Sequence, residues 1–111
     1  HPTPTQRGFD QFYGIVAGAA NFFHSRTLME KETLIDIDPP DFYLTDAIRE
    51  NAVSMITKAS ATDNPFFLHV AYTAPHWPLH ALEEDIAKYR VNYREGWDSL
   101  RQDRHEEQKG M

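Results

Sequence analysis

The chain has 111 residues, 41% of them hydrophobic and 13% aromatic, which is the length of one ordinary domain and the composition of a folded rather than disordered one. Eleven basic residues against 17 acidic ones leave a formal charge of −6, and no basic patch is present to suit nucleic acid or an anionic membrane as a partner. There is no cysteine, hence no disulfide, thiolate metal site or thiol nucleophile, and no apolar run approaches the roughly 20 residues of a membrane span.

The opening stretch to Gly8 carries two prolines and a glycine and is expected to be a loop. Gly8-Phe9-Asp10-Gln11-Phe12-Tyr13 is dense in aromatics, as in a segment packed onto a core. Gly14 and Gly18 bracket a small-residue stretch with Ala17, Ala19 and Ala20, where a neighbouring strand or a ligand could approach the backbone closely. Residues 26–38 alternate loosely around Leu28, Leu34, Ile35 and Ile37, and a surface hairpin is expected there, stopped by Pro39 and Pro40.

The clearest element follows. Ile48, Ala52, Met55, Ile56 and Ala59 form an apolar stripe of helical period, with Arg49, Glu50 and Lys58 off it. A helix is expected from about residue 45 to 60, capped by Thr45 or Asp46, with a polar turn from Ala61 to Asn64. The nearly continuous apolar run Pro65-Phe66-Phe67-Leu68-His69-Val70-Ala71-Tyr72 has the composition of a strand buried on both faces of a parallel sheet. Residues 73–78 then form a loop, because Pro75 and Pro78 interrupt any ladder. A helical turn or two is expected over 83–90. Asp98 could cap a last, almost wholly polar helix running toward Lys109.

Two acidic clusters, Asp36/Asp38/Asp41 and Glu83/Glu84/Asp85, suit solvated loops and helix starts. The first lacks the glycine and terminal glutamate of a calcium loop.

The loop Thr73-Ala74-Pro75-His76-Trp77-Pro78-Leu79-His80 follows the carboxyl end of the expected buried strand, where ligands collect in α/β sheets. Prolines on both sides restrict the backbone at His76, as suits a pre-positioned imidazole, and Trp77 offers a flat face to a ring-shaped substrate. Against a chemical role stands the plainer one, a loop histidine bonded to a carbonyl. His76 and His80 have the spacing of a helical zinc pair, but Pro78 lies between them and no third ligand is evident. His80 either lines the rim of a site or holds the loop. His69 suits a structural histidine within the strand, His24 a surface position, and Trp97 a packing role.

Five blocks extend this picture. Gly8-Phe9-Asp10-Gln11-Phe12-Tyr13-Gly14, Tyr43-Leu44-Thr45-Asp46-Ala47, Pro65-Phe66-Phe67-Leu68, Ala71 through Ala81 around Pro75-His76-Trp77-Pro78, and Ile86-Ala87-Lys88-Tyr89-Arg90 with Gly96-Trp97-Asp98 occur in the order and spacing of arylsulfatases. Nearly the whole chain thus resembles the sulfatase family. The resemblance implies an α/β fold, part of an alkaline-phosphatase-like domain with one or two buried strands and flanking helices. Residues 1–111 would form a single partial domain, a central segment without the nucleophile region or the later metal-binding region. It also implies hydrolysis of sulfate esters with a formylglycine nucleophile and a calcium ion in full-length members. Neither Cys-x-Pro-x-Arg nor Ser-x-Pro-x-Arg occurs in this chain, and no metal ligand is assigned in it, so it is expected to be inactive alone. On the same resemblance His76 is the catalytic residue, contacting the sulfate and protonating the leaving oxygen. His76, Trp77 and His80 are the substrate-binding residues. The implied partner is a sulfate ester, a small molecule or sulfated sugar, with neither nucleic acid nor membrane. A phosphonate or phosphodiester hydrolase of the same superfamily, or a non-catalytic binding remnant, are the alternatives. A strand such as 65–72 needs neighbours on both edges, so self-association of the chain is a further expectation.

Overall fold

The computed structural model describes residues 2–37 and 40–111. A single turn of 3-10 helix, Thr5–Arg7, precedes three short strands, β1 (Tyr13–Ile15), β2 (Leu28–Glu30) and β3 (Thr33–Leu34). Three helices follow, α1 (Leu44–Ser60), α2 (Glu83–Tyr89) and α3 (Trp97–Lys109). The chain forms two compact units, one ending at His80 and the other spanning Ala81–Met111.

A hairpin is present within 26–38, but it is not a surface one: Leu28 and Met29 of its first strand are buried, and it is part of a three-stranded antiparallel sheet in the order β1-β2-β3. Glu30 pairs with Thr33, so only Lys31 and Glu32 make the turn, and Lys31 enters the left-handed region at φ 53° to close it. The Lys31 amide donates to the Phe12 carbonyl at 2.7 Å, which carries β1 alongside. Gly14 sits buried in β1 opposite Met29, with φ at 155°, and a Cβ there would stand 3.5 Å from the Phe12 ring, an ordinary contact distance. Asp38 and Pro39, on which the expected end of the hairpin partly falls, lie outside the described residues.

The core is small. Phe22, Leu28, Leu44 and Ile48 form its buried cluster, with Tyr13, Ile15, Ile35, Ile37, Phe42 and Tyr43 packed around them. Helix α1 begins slightly earlier than the sequence suggests, and neither Thr45 nor Asp46 caps it. Tyr43 is the N-cap, without a side-chain bond. The physical reason is tertiary: Leu44 is fully buried, and its amide, which no helical carbonyl can reach, donates to the Phe22 carbonyl at 2.8 Å instead. Ile48, one turn on, completes the buried end of the apolar stripe. Beyond it Ala52, Met55 and Ile56 are only partly covered or exposed.

Residues 65–72 depart from expectation. They carry no regular secondary structure and join no ladder, and Phe66, Phe67, Val70 and Tyr72 are exposed, Phe67 at 77%. A strand exists only by pairing with neighbours, and among the described residues the sheet is closed by β1 and β3, far shorter segments that pair with β2 alone. His69 is consequently exposed and not a buried structural histidine.

In the second unit, Glu83, Glu84 and Asp85 occupy the first turn of α2, where negative charge meets the positive end of the helix dipole. Gly96, and not Asp98, is the N-cap of α3; Asp98 lies in its first turn and pairs with Arg101 at 3.3 Å. Trp97 does not pack: it is 85% exposed at the helix start. No residue of α3 is buried, as its polar composition requires.

Tyr13 ties the first unit's stability to alkaline pH. Burial, then the charges of Glu30 and Glu50, push its phenol above the ordinary value. The folded chain therefore keeps a proton that the unfolded chain releases near the usual tyrosine value of about 10. The stabilisation is whole below that value and is lost as pH rises through the higher folded one. Denaturant unfolding from about pH 8 to about pH 11 is expected to show a steeper alkaline loss than Tyr13→Phe shows, and equal slopes would contradict the assignment.

Candidate functional site

The loop from Thr73 to His80 closes the first unit. The His76 amide donates to the Thr73 carbonyl at 2.8 Å, and the His80 amide to the Pro78 carbonyl at 3.0 Å. The peptide bonds before Pro75 and Pro78 are both cis. His76, Trp77 and Leu79 are exposed, Trp77 at 73%.

The His76 ring bends back on its own loop, with Nδ1 2.6 Å from the Trp77 carbonyl oxygen. A carbonyl only accepts, so Nδ1 carries the proton. That bond fixes the tautomer and leaves Nε2 as the nitrogen that can take up or deliver a proton. The bond to a carbonyl matches the plainer of the two roles the sequence allowed. A chemical role is compatible with it, since a general acid needs one free nitrogen and a held ring.

His80 has different surroundings. Its Nδ1 accepts the Phe22 amide at 3.3 Å across 58 residues of sequence. Its ring stands edge-on to Phe22 with centroids 5.6 Å apart, and tilted to Phe23 at 5.7 Å, while Phe23 stacks on Tyr43 at 5.3 Å. His76 and His80 therefore share a loop while their Nδ1 atoms face different partners, a carbonyl and an amide. His24 is exposed, its amide bonded to the Asn21 carboxamide oxygen at 3.1 Å.

A wide concavity of the first unit lies elsewhere. A cleft of about 720 Å³ opens between β1, the outer half of α1 and residues 65–71, walled by Phe9, Ile48, Met55, Ile56, Phe66 and Phe67 among others. Thr73 reaches it, with its hydroxyl buried and without a hydrogen-bond partner. A shallower cavity of about 490 Å³ lies between Thr5, Phe9, Asp10 and the turn at Lys31. His76, Trp77 and His80 line neither. Sequence reasoning missed the cleft. Its signal was the apolar stripe of α1 continuing to Ala59, past anything the short hairpin could cover.

Among the described residues no three His, Asp or Glu side chains converge to hold a metal ion. Asp38, one of the acidic residues weighed for calcium, lies outside them.

Comparison with known proteins bears on the whole chain. The family model described as Sulfatase matches residues 2–110. An uncharacterized sulfatase of Schizosaccharomyces pombe is 28% identical over 97% of the chain and 22% of its own length. The uncharacterized sulfatase YdeN of Escherichia coli is 33% identical over 68% of the chain and 13% of its own length. An arylsulfatase of Klebsiella aerogenes is 31% identical over 86% of the chain and 22% of its own length. The chain thus spans between 13% and 22% of the length of these curated relatives. The family match takes in both compact units and every motif block from Gly8 to Asp98, and the chain belongs to the sulfatase family.

Proposed function

We propose that the chain is the central segment of an arylsulfatase-like sulfuric ester hydrolase, one partial alkaline-phosphatase-like α/β domain, and that His76 is its general acid. The observation that carries this is the His76 ring itself: Nδ1 tied to the Trp77 carbonyl at 2.6 Å, Nε2 left for chemistry, in an exposed loop.

Cleavage of a sulfate ester breaks the S–O bond and builds negative charge on the bridging oxygen. An imidazolium with Nε2–H toward that oxygen donates its proton as the bond breaks, and the neutral ring keeps the Nδ1–H bond it already had. Nothing in the loop need rearrange for the transfer. The exposed indole of Trp77 beside it offers its face to an aromatic or sugar ring of the ester. A calcium ion and a formylglycine, implied for the complete enzyme, find neither a converging ligand set among the described residues nor a Cys-x-Pro-x-Arg or Ser-x-Pro-x-Arg motif in the chain.

A substrate panel tests the proposal. The complete enzyme is expected to turn over aryl sulfates or sulfated sugars faster than phosphonate monoesters and phosphodiesters, and the 111-residue chain alone to turn over none of them. Preference for phosphonates or phosphodiesters would replace the sulfate-ester reading by the phosphoryl one. Turnover by the isolated chain would show that it needs no outside nucleophile.

A further inference from the structure

We infer that His80 is a positioning residue: it anchors the far end of the His76 loop to the buried backbone of Phe22, and through Phe22 to the first amide of α1. The inference rests on His76 being the catalytic histidine, and it gives His80 a task other than touching substrate.

Three observations meet at one residue. Phe22 is 2% exposed, the most enclosed aromatic ring of the core. Its carbonyl accepts the Leu44 amide at 2.8 Å, which fixes the start of α1. Its own amide donates to His80 Nδ1 at 3.3 Å, a bond at the long end of the useful range but supported by two ring contacts. Without His80 that amide would lose its partner at the edge of the core.

The loop needs such an anchor. Among the described residues, the hydrogen bonds within 73–79 are local, His76 to Thr73 and His76 Nδ1 to the Trp77 carbonyl, and they shape the turn without tying it to the core. His76, Trp77 and Leu79 are exposed, so packing does not hold them either. Attachment comes at His80, one helical turn's worth of sequence past His76. The chemistry of the bond is specific. Nδ1 must present a lone pair, so the proton of neutral His80 is on Nε2, the opposite tautomer to His76. A group that can only donate would not serve in its place; an acceptor at the same distance from the backbone would.

That requirement separates two variants. In His80→Asn the carboxamide Oδ1 would lie where the imidazole Nδ1 does, so the acceptor is kept and the ring is lost. His80→Phe does the reverse, keeping the ring contacts and removing the acceptor. In the 111-residue chain, ¹⁵N-resolved spectra are expected to show loss of Phe22 amide protection together with a shift or broadening of the His76 ring nitrogens in His80→Phe, both restored in His80→Asn. In the complete enzyme, His80→Phe is expected to lower kcat by on the order of tenfold to a hundredfold with KM little changed, and His80→Asn to recover most of it. The positioning role is overturned if the His76 ring signals stay put in His80→Phe, or if His80→Asn behaves like His80→Phe. It is overturned equally if KM rises with kcat intact, the mark of a substrate contact. Should the spectra respond as expected while the wild-type enzyme proves inert toward sulfate esters, the anchor stands and the sulfatase assignment of His76 falls.

Discussion

His76→Ala in the complete enzyme is expected to reduce turnover of sulfate esters by at least about a hundredfold, within the roughly 10²–10⁴ that a positioned general acid contributes. Folding should be untouched. The side chain is exposed, its one hydrogen bond is to the neighbouring carbonyl, and it fills no part of the core. Surface truncations of that kind change stability by a few tenths of a kcal/mol at most, within roughly ±0.5. Activity and stability therefore separate at this position. Steady-state kinetics beside thermal unfolding of the same sample checks both halves. Activity near wild type with aryl and alkyl sulfates alike would remove His76 from the mechanism.

The opposite profile is expected at Phe22. Phe22→Ala removes the ring around which Leu28, Leu44 and Ile48 close and against which Tyr43 and His80 lie. Truncating a buried phenylalanine costs about 3–5 kcal/mol. That is a large share of the roughly 5–15 kcal/mol by which a domain is stable. This core has only five buried apolar side chains among the described residues, so little remains to absorb the loss. Circular dichroism with chemical denaturation is expected to show the first unit unfolded or unfolding at much lower denaturant. A transition at the wild-type midpoint would mean the core is organised around something else.

Local pattern and family resemblance were legible in the sequence to different depths. Helix α1 was visible because Ile48, Ala52, Met55 and Ile56 repeat at helical spacing, a signal carried within a single turn or two. Its first residue was not, because the partner of the Leu44 amide is the carbonyl of Phe22, far earlier in the chain, and no local capping rule anticipates that. The hairpin was visible in the alternation around Leu28 and Leu34; the third strand, β1, was not, since Tyr13–Ile15 is too short to show a period and has Gly14 at its centre. Residues 65–72 carry the composition of a buried strand, yet composition states only what a segment can pair with, and pairing needs a neighbour. The apolar residues of that segment and the outer half of α1 instead border one open cleft.

The site divides the same way. His76, Trp77 and His80 were found by motif, and the flanking prolines marked the loop. What the motif could not carry is the tautomer of each ring. His76 Nδ1 donates to a neighbour in sequence, whereas His80 Nδ1 accepts from an amide 58 residues away. The two histidines look alike in the sequence and are chemically opposite in the fold.

The most direct test of the central claim, that His76 protonates the departing oxygen, is the dependence of kcat on leaving-group basicity across a series of aryl sulfates, compared between the wild-type enzyme and His76→Ala. A general acid helps poor leaving groups most, so the wild type should show a shallow dependence and His76→Ala a steep one, with the deficit shrinking toward nitrophenol-like esters. A deficit of the same size for every ester in the series would contradict the account, since it would mean the imidazole acts before or apart from S–O cleavage.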